Sequence, residues 1–430
     1  MTQRRRSLPI APPGPPAVRG RPLAASARAV DAVRPVYAVW EITLRCDLAC
    51  RHCGSRAGKA RPDELNTTEA LDLAEQIADL GVSEVTLVGG EAYLRKDWLE
   101  IAEALVRRGI DTSLTTGGRG IDPERARAAA AVGLSTASVS VDGLAATHDQ
   151  LRGVKGSHAA ALDALQHLAA AGVPVSANTQ ICAANLHEIE PLFELLLERG
   201  VHSWQVQLTV AMGRAADDPD LLLQPYQMLE VMPMVARLHQ RCDAAGIRLW
   251  PGTNVGYFGP YESLLRRDYP GRHGTGCSAG RDSLGIEANG DIKGCPSLPT
   301  ADYVGGNVRD HRLVDIWERA AALRFTREER ATERWGFCGS CYYGDVCKAG
   351  CTWTSHVLHG RRGNNPYCHH RALELLQRGV RERLVPVKAA PNQPFDHGLF
   401  RIEEEPWPGE ARAAAEALAD AAPDDPPRWL

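Results

Sequence analysis

Ten of the twelve cysteines in this 430-residue chain fall into two spaced groups, and no other feature narrows its chemistry as far. The first group is Cys46-x3-Cys50-x2-Cys53, at the end of an apolar run from Val36 to Thr43. The second runs from Cys277 through Cys295, Cys338, Cys341, Cys347 and Cys351 to Cys368. Three clustered thiolates can hold three irons of a four-iron cube, one Cys to each iron. The fourth iron then stays open, and an open coordination position is where a bound metal does chemistry instead of holding structure.

Other uses of cysteine compete with this one. Disulfides need an oxidising compartment, and the N-terminal MTQRRRSLPIAPPGPP lacks the apolar run of a signal peptide, so a cytoplasmic chain with reduced thiols is expected. Structural zinc is the stronger competitor, since Cys338-x2-Cys341 could open a zinc ribbon. The triplet has no nearby fourth ligand, which favours iron–sulfur there. Cys182 and Cys242 fit neither pattern and are expected to be buried free thiols. A net charge of −4 argues against nucleic acid as a partner. No apolar run approaches the ~20 residues that cross a bilayer, so no membrane span is expected.

The first 35 residues are rich in Pro and Arg and read as a disordered basic arm. From 36 to 250, β-like runs at 37–43, 84–88, 111–115, 135–141, 173–180 and 203–210 alternate with amphipathic stretches at 67–80, 97–108, 123–131, 158–171 and 186–198. Thr67 is a candidate N-cap, and Gly81, Gly109, Gly133, Gly172 and Gly200 stand where helices should stop. Strand–helix alternation repeated six times predicts an α/β fold with a parallel sheet, an open partial (β/α)6 barrel. Residues 251–275 read as a connecting segment without an assignable role, and 276–375 as a small cysteine-rich domain. Within the latter, 284–295 reads as a hairpin turning at Asn289-Gly290, which would bring Cys277 and Cys295 to one site. Residues 376–430, with a Pro-rich connection, the run Glu403-Glu404-Glu405 and an Ala-rich helix, read as a packing or solubilising extension.

Several strands carry polar stripes at every second residue: Glu41 and Thr43; Ser138, Ser140 and Asp142; Ser176, Asn178 and Gln180; Gln205, Gln207 and Thr209. Residues two apart share a face of a strand, so these stripes should line one interior. A polar interior is costly unless a ligand satisfies it. Other motifs stand just beyond strand C-termini, where barrel active sites lie. Gly89-Gly90-Glu91 follows the second strand and Thr115-Thr116-Gly117-Gly118 the third; Arg152 lies in His148-Asp149-Gln150-Leu151-Arg152-Gly153.

The triplet, with His52 directly before its last Cys, resembles the signature of the radical S-adenosylmethionine (SAM) enzymes, and the seven later cysteines resemble their SPASM extension. The resemblance implies a four-iron cluster on Cys46, Cys50 and Cys53 that reductively cleaves SAM, giving a 5′-deoxyadenosyl radical that abstracts hydrogen. It implies SAM contacts from His52, Gly89, Gly90, Glu91, Thr116, Ser140, Asp142, Arg152, Asn178 and Gln207. Glu91 would accept from the SAM ammonium, Arg152 would meet its carboxylate, and Ser140 and Asp142 its ribose or methionyl part. Ala92 replaces the family's usual Pro. By position, Cys338, Cys341, Cys347 and Cys368 would close one auxiliary cluster and Cys277, Cys295 and Cys351 would serve a second. That makes three clusters in all, the auxiliary two expected as four-iron cubes. The three-cysteine one would be left with an open iron unless His273, Asp282, His369, His370 or a stray Cys completes it.

Enzymes with this extension most often modify ribosomally made peptides, so a peptide maturase fed by a flavodoxin- or ferredoxin-type donor is the leading expectation. A haem-type decarboxylase shares the cysteine layout. Anaerobic sulfatase maturases carry an Asp after the hairpin Cys, where this chain has Pro296. A non-enzymatic electron carrier or zinc scaffold would explain the cysteines but neither the glycine motif nor Arg152.

Overall fold

The computed structural model describes residues 33–328 and 333–420, so the basic arm lies almost wholly outside the described residues. The six expected strands form β1 (Tyr37–Glu41), β2 (Glu84–Val88), β3 (Asp111–Thr116), β4 (Thr136–Ser140), β5 (Val175–Ile181) and β6 (Ser203–Leu208). Between them run α1 (Thr67–Leu80), α2 (Trp98–Arg107), α3 (Pro123–Ala131), α4 (Ala145–Arg152), α5 (Ser157–Ala170) and α6 (Ile189–Glu198). Each strand pairs in parallel with the next, as right-handed strand–helix–strand units require. The cap of α1 is Asn66 and not Thr67: its side chain accepts from the Glu69 N–H, while Glu69 accepts from the Asn66 N–H. Gly81, left-handed at φ 88°, ends that helix.

Alternation along the strands divides the sheet into two faces. Ala38 and Trp40, Val85 and Leu87, Ala137 and Val139, Trp204 and Val206 point outward into one core shared with α1, α2, α5 and α6. The intervening residues leave a concave face that is largely polar. Across it, Thr86 Oγ1 lies 3.0 Å from the Tyr37 hydroxyl and 2.8 Å from Ser113 Oγ.

The sheet is longer than six units. After the short α7 (Arg214–Asp217) and the long α8 (Met228–Ala244), β7 (Arg248–Pro251) pairs in parallel with β6. At the other end, β8 (Ser283–Ile286) of the cysteine-rich segment pairs in parallel with β1, and β9 (Asp291–Lys293) and β10 (Gly306–Asn307) continue antiparallel beyond it. The two ends do not pair, so the barrel stays open. The hairpin turns at Asn289-Gly290 as expected, with Gly290 at φ 89°. The cysteine-rich segment is therefore a continuation of the barrel sheet.

The C-terminal extension corrects its reading as a Pro-rich connection. It folds as an antiparallel pair, β11 (Val380–Lys388) and β12 (Leu399–Pro406), with the acidic run inside β12. The buried pair Arg371–Glu382, at 2.6 Å, and a bond from the Leu384 N–H to the Gln224 side chain anchor this hairpin to the rest of the chain. Its connecting loop reaches the barrel mouth: Arg56 Nε donates to Asp396 at 2.7 Å, and the Gly213 N–H donates to the Asp396 carbonyl. No helix among the described residues is long and apolar enough to cross a membrane.

Candidate active site

The triplet occupies the loop after β1, and elements from four places hold that loop. The Glu64 carboxylate accepts from the Thr43 hydroxyl and the Leu44 and Arg61 N–H groups. The Gly90 and Glu91 N–H groups donate to the Thr43 and Arg45 carbonyls. The Ala49 and Arg51 N–H groups donate to the Arg152 and Leu151 carbonyls at the end of α4. Arg214, at the start of α7, donates to the Cys50 and Ala57 carbonyls at 2.6 and 3.1 Å. Close approach requires glycine at two of these junctions. A Cβ at Gly90 would fall 2.3 Å from the Arg45 carbonyl oxygen, and one at Gly213 would fall 2.3 Å from that of Cys53. Sequence reading missed Arg214 and Glu64. The signal for Arg214 was its place just beyond the β6 C-terminus, directly after Gly213.

Cys46, Cys50 and Cys53 are free thiols with Cys50 buried. Burial pushes the Cys46 thiol up to about 12, and the charges of Glu91, Cys50 and Cys53 add to that rise. Neighbouring thiolates thus oppose the ionisation of Cys46 and Cys50, and the three-sulfur donor set suits a multiply charged metal cluster. Arg152 is the cation nearest Cys50, its Nη1 3.7 Å from Sγ.

Glu91 is 2 % exposed. Its carboxylate accepts from Thr116 Oγ1 at 2.5 Å and from the Gly117 N–H at 2.6 Å, beside Cys46 and Asp47. Burial pushes its carboxyl up to about 7 against those two bonds. A cation such as an ammonium arriving there would restore the charged form. Thr116 thus orients Glu91.

Asp142 is fully buried, and its carboxylate is already engaged. It meets Arg152 Nη2 at 2.6 Å and His52 Nε2 at 3.1 Å, and it accepts from the Gln180 N–H at 2.9 Å. Burial opposes its ionisation, but Arg152 and His52 outweigh that and hold the carboxyl well below the usual range. Asp142 therefore stands behind the triplet, positioning Arg152 and His52, and does not stand free for a ribose. Glu41 and Thr43 likewise leave the interior stripe: Glu41 sits by Arg61 and the Ala288 N–H, and Thr43 binds Glu64. Ser140, Asn178 and Gln207 remain on the concave face. Buried polar atoms without a protein partner, among them Asn178 Oδ1, His52 Nδ1, Arg152 Nε and Thr209 Oγ1, gather around this region. Unpartnered buried groups of this kind fit a multiply hydrogen-bonding ligand such as SAM.

The later cysteines sort into two sets. Cys338, Cys341, Cys347 and Cys368 line one pocket with Tyr257 and His370. Burial pushes the thiols of Cys295 and Cys351 up, and the neighbouring Cys277 adds to both rises; Gly280 and Gly294 pack back to back to bring Cys277 and Cys295 together. Tyr257, from the segment to which the sequence assigned no role, wedges between the sets. Its hydroxyl accepts from the Cys351 N–H at 2.9 Å, and its carbonyl faces Cys368 Sγ at 3.7 Å. Trp353 links the second set to the triplet: it packs against the apolar cluster that holds Cys351, and its Nε1 lies 2.9 Å from Met212 Sδ, which sits where a side chain at Gly54 would point. Of the residues named as possible fourth ligands, His370 lines the four-cysteine pocket, His273 lies against Phe258 with its ring tilted, His369 stacks on Tyr261, and Asp282 pairs with Arg281. Cys182 and Cys242 are buried in separate apolar clusters.

Known proteins share this arrangement. Residues 40–196 match the radical SAM superfamily, and residues 277–342 match SPASM, an iron–sulfur cluster-binding domain. The AdoMet-dependent heme synthase of Methanosarcina barkeri is 30% identical over 358 residues, covering 78% of this chain and 97% of that protein. The mycofactocin maturase of Mycobacterium ulcerans is 30% identical over 326 residues, covering 74% and 83%. In fold, the chain is similar to Streptococcus suis SuiB, solved bound to S-adenosylmethionine, with a TM-score of 0.60 and 18% identity over 78% of this chain and 76% of SuiB. With its open barrel, its clamped triplet and a relative matched nearly end to end, the chain belongs to the radical SAM superfamily and carries a SPASM domain.

Proposed function

We propose that this enzyme acts on a ribosomally made peptide, and that the neutrality of its concave face carries the reading. From β4 to β6 that face presents Thr136, Ser138, Ser140, Ser176, Asn178, Gln180, Ser203, Gln205 and Gln207, all hydroxyls and amides, with no Lys or Arg among them. Amide side chains both donate and accept, which suits a peptide main chain with its alternating N–H and C=O groups. A macrocycle bearing several carboxylates would call for cations on that face instead. SuiB, similar in fold, has also been solved bound to a precursor peptide.

When bound, the triplet's cluster and SAM supply reductive sulfonium cleavage and hydrogen-atom abstraction. The chain's own residues bind and orient. Glu91 takes the SAM ammonium, held in place by Thr116 and Gly117. Arg152, fixed by Asp142, offers its remaining donors to the SAM carboxylate. Asn178 and Gln207 hydrogen-bond SAM or the substrate on the concave face. The cysteine sets 338/341/347/368 and 277/295/351 each hold an auxiliary cluster, with Met212 and Trp353 as the packed path between the triplet and the second set. A low-potential flavodoxin or ferredoxin is the donor class this reading requires.

The relatives named heme synthases supply the competing substrate, an iron porphyrin with carboxylate arms. Anaerobic holoenzyme with SAM and reductant is to be offered, separately, the short peptides encoded beside its gene and such a porphyrin. The expected result is a changed peptide mass, with deuterium passing from labelled peptide into 5′-deoxyadenosine. Turnover of the porphyrin with every peptide unchanged would overturn the peptide reading.

A further inference from the structure

Away from the cysteines, two histidines and an aspartate converge on a point that no chemistry described so far uses. Asp302 lies on the short helix Thr300–Tyr303, His356 on the helix Thr352–His359, and His397 in the loop between β11 and β12. One ligand atom from each lies within 4.8 Å of the others. His356 Nε2 is 3.2 Å and His397 Nε2 3.5 Å from the same oxygen, Asp302 Oδ2. His356 is 7% exposed, and its Nε2 makes no hydrogen bond although it is aimed at this point.

The far side of each ring is held. His397 Nδ1 lies 2.7 Å from the Gly398 carbonyl, which can only accept, so Nδ1 carries the proton and the lone pair of neutral His397 sits on Nε2. That lone pair faces a carboxylate oxygen, a juxtaposition that a cation held between them satisfies. His356 Nδ1 lies 2.9 Å from the Tyr303 hydroxyl, and the tautomer that donates to Tyr303 likewise frees Nε2. Metal-binding histidines show this pattern, with one nitrogen anchored by an outer partner and the other directed to the ion.

The spacing agrees. Bonds of about 2.0–2.1 Å in a tetrahedral zinc site place neighbouring ligand atoms roughly 3.3–3.4 Å apart. The two measured edges bracket that value. Two imidazoles and a carboxylate form a donor set suited to zinc, and the half-exposed Asp302 leaves the fourth position to solvent.

We propose that Asp302, His356 and His397 form a divalent-cation site, with zinc as its ion, separate from the iron–sulfur centres. The site joins three stretches that are far apart in sequence: the short helix after the β8–β9 hairpin, the helix that follows Cys351, and the C-terminal loop. Its neighbour Asp396 holds Arg56 in the triplet's loop, so the ion fixes the C-terminal loop against the barrel mouth.

The test uses full-length holoenzyme, its iron–sulfur centres reconstituted anaerobically, given one equivalent of zinc and then dialysed. Metal analysis should find about one zinc per chain beyond the iron, and X-ray absorption should show nitrogen and oxygen neighbours near 2.0–2.1 Å with no sulfur. Asp302→Asn and His397→Gln, both on the solvent side, should each lose the zinc while keeping wild-type iron. Zinc absent from the wild type, zinc with sulfur neighbours at about 2.3 Å, or zinc retained by both variants would each overturn the proposal.

Discussion

Replacing Cys46, Cys50 and Cys53 together by Ala is expected to abolish reductive SAM cleavage and remove about one third of the iron. If each cysteine group holds a four-iron cube, the wild type carries roughly twelve irons per chain and the triple variant roughly eight. The effect should be confined because the three groups are held separately. Glu64, Gly90, Arg152 and Arg214 seat the triplet's loop, whereas Tyr257, Gly280 and Gly294 organise the other two. Iron quantified alongside 5′-deoxyadenosine reads both expectations. Loss of most of the iron, or SAM cleavage that survives in the variant, would break the assignment.

The second large effect is expected at Asp142. Among the described residues its carboxylate is the only one paired with the buried Arg152 guanidinium, and the Cys50 sulfur is the next acceptor. Asp142→Asn keeps the shape and removes the charge, leaving Arg152 buried beside a neutral amide. Breaking one partner of a buried ion pair costs about 3–5 kcal/mol, or roughly 5 °C in melting temperature for a chain of this length. The double variant Asp142→Asn/Arg152→Met removes both charges and should recover part of that loss. Because Asp142 is held below the ordinary carboxylate range, its contribution is fully present at neutral pH and is lost only as strong acid protonates it. A single variant that melts like the wild type would show that Arg152 does not depend on Asp142.

How far the sequence foretold this molecule depended on whether a feature was local. The six strands and five of the helices were readable because apolar residues recur at period two or at helical spacing, with glycines marking helix ends. β7 escaped because it is a four-residue strand ending in Pro251. The pairing of β8 with β1 was invisible, since no local pattern records which edge a distant strand will join. In β12 the run Glu403-Glu404-Glu405 masks a strand. Those side chains are satisfied across the hairpin and nearby, as in Arg381–Glu405 and Arg378–Glu404.

The site shows the same division. Spacing identified the triplet, and the resemblance to SPASM proteins separated the later cysteines into the two sets that the fold brings together. Asp142 was expected at the ligand because it shares parity with Ser138 and Ser140. Arg152 and His52 approach it from α4 and the cysteine loop and take its carboxylate, which only the tertiary structure reveals. Arg214, Tyr257, Met212 and Trp353 carry no motif, and their roles come from where the chain places them.

The central claim is that the clamped triplet and the surrounding Glu91 and Arg152 make this chain a reductive cleaver of SAM. Anaerobic holoenzyme treated with dithionite and SAM tests it most directly, with 5′-deoxyadenosine and methionine quantified together. The account predicts equal amounts of the two products, formed only with reductant present and absent when the triplet is replaced. Fully loaded holoenzyme that leaves SAM intact, or that turns it into S-adenosylhomocysteine instead, would contradict it.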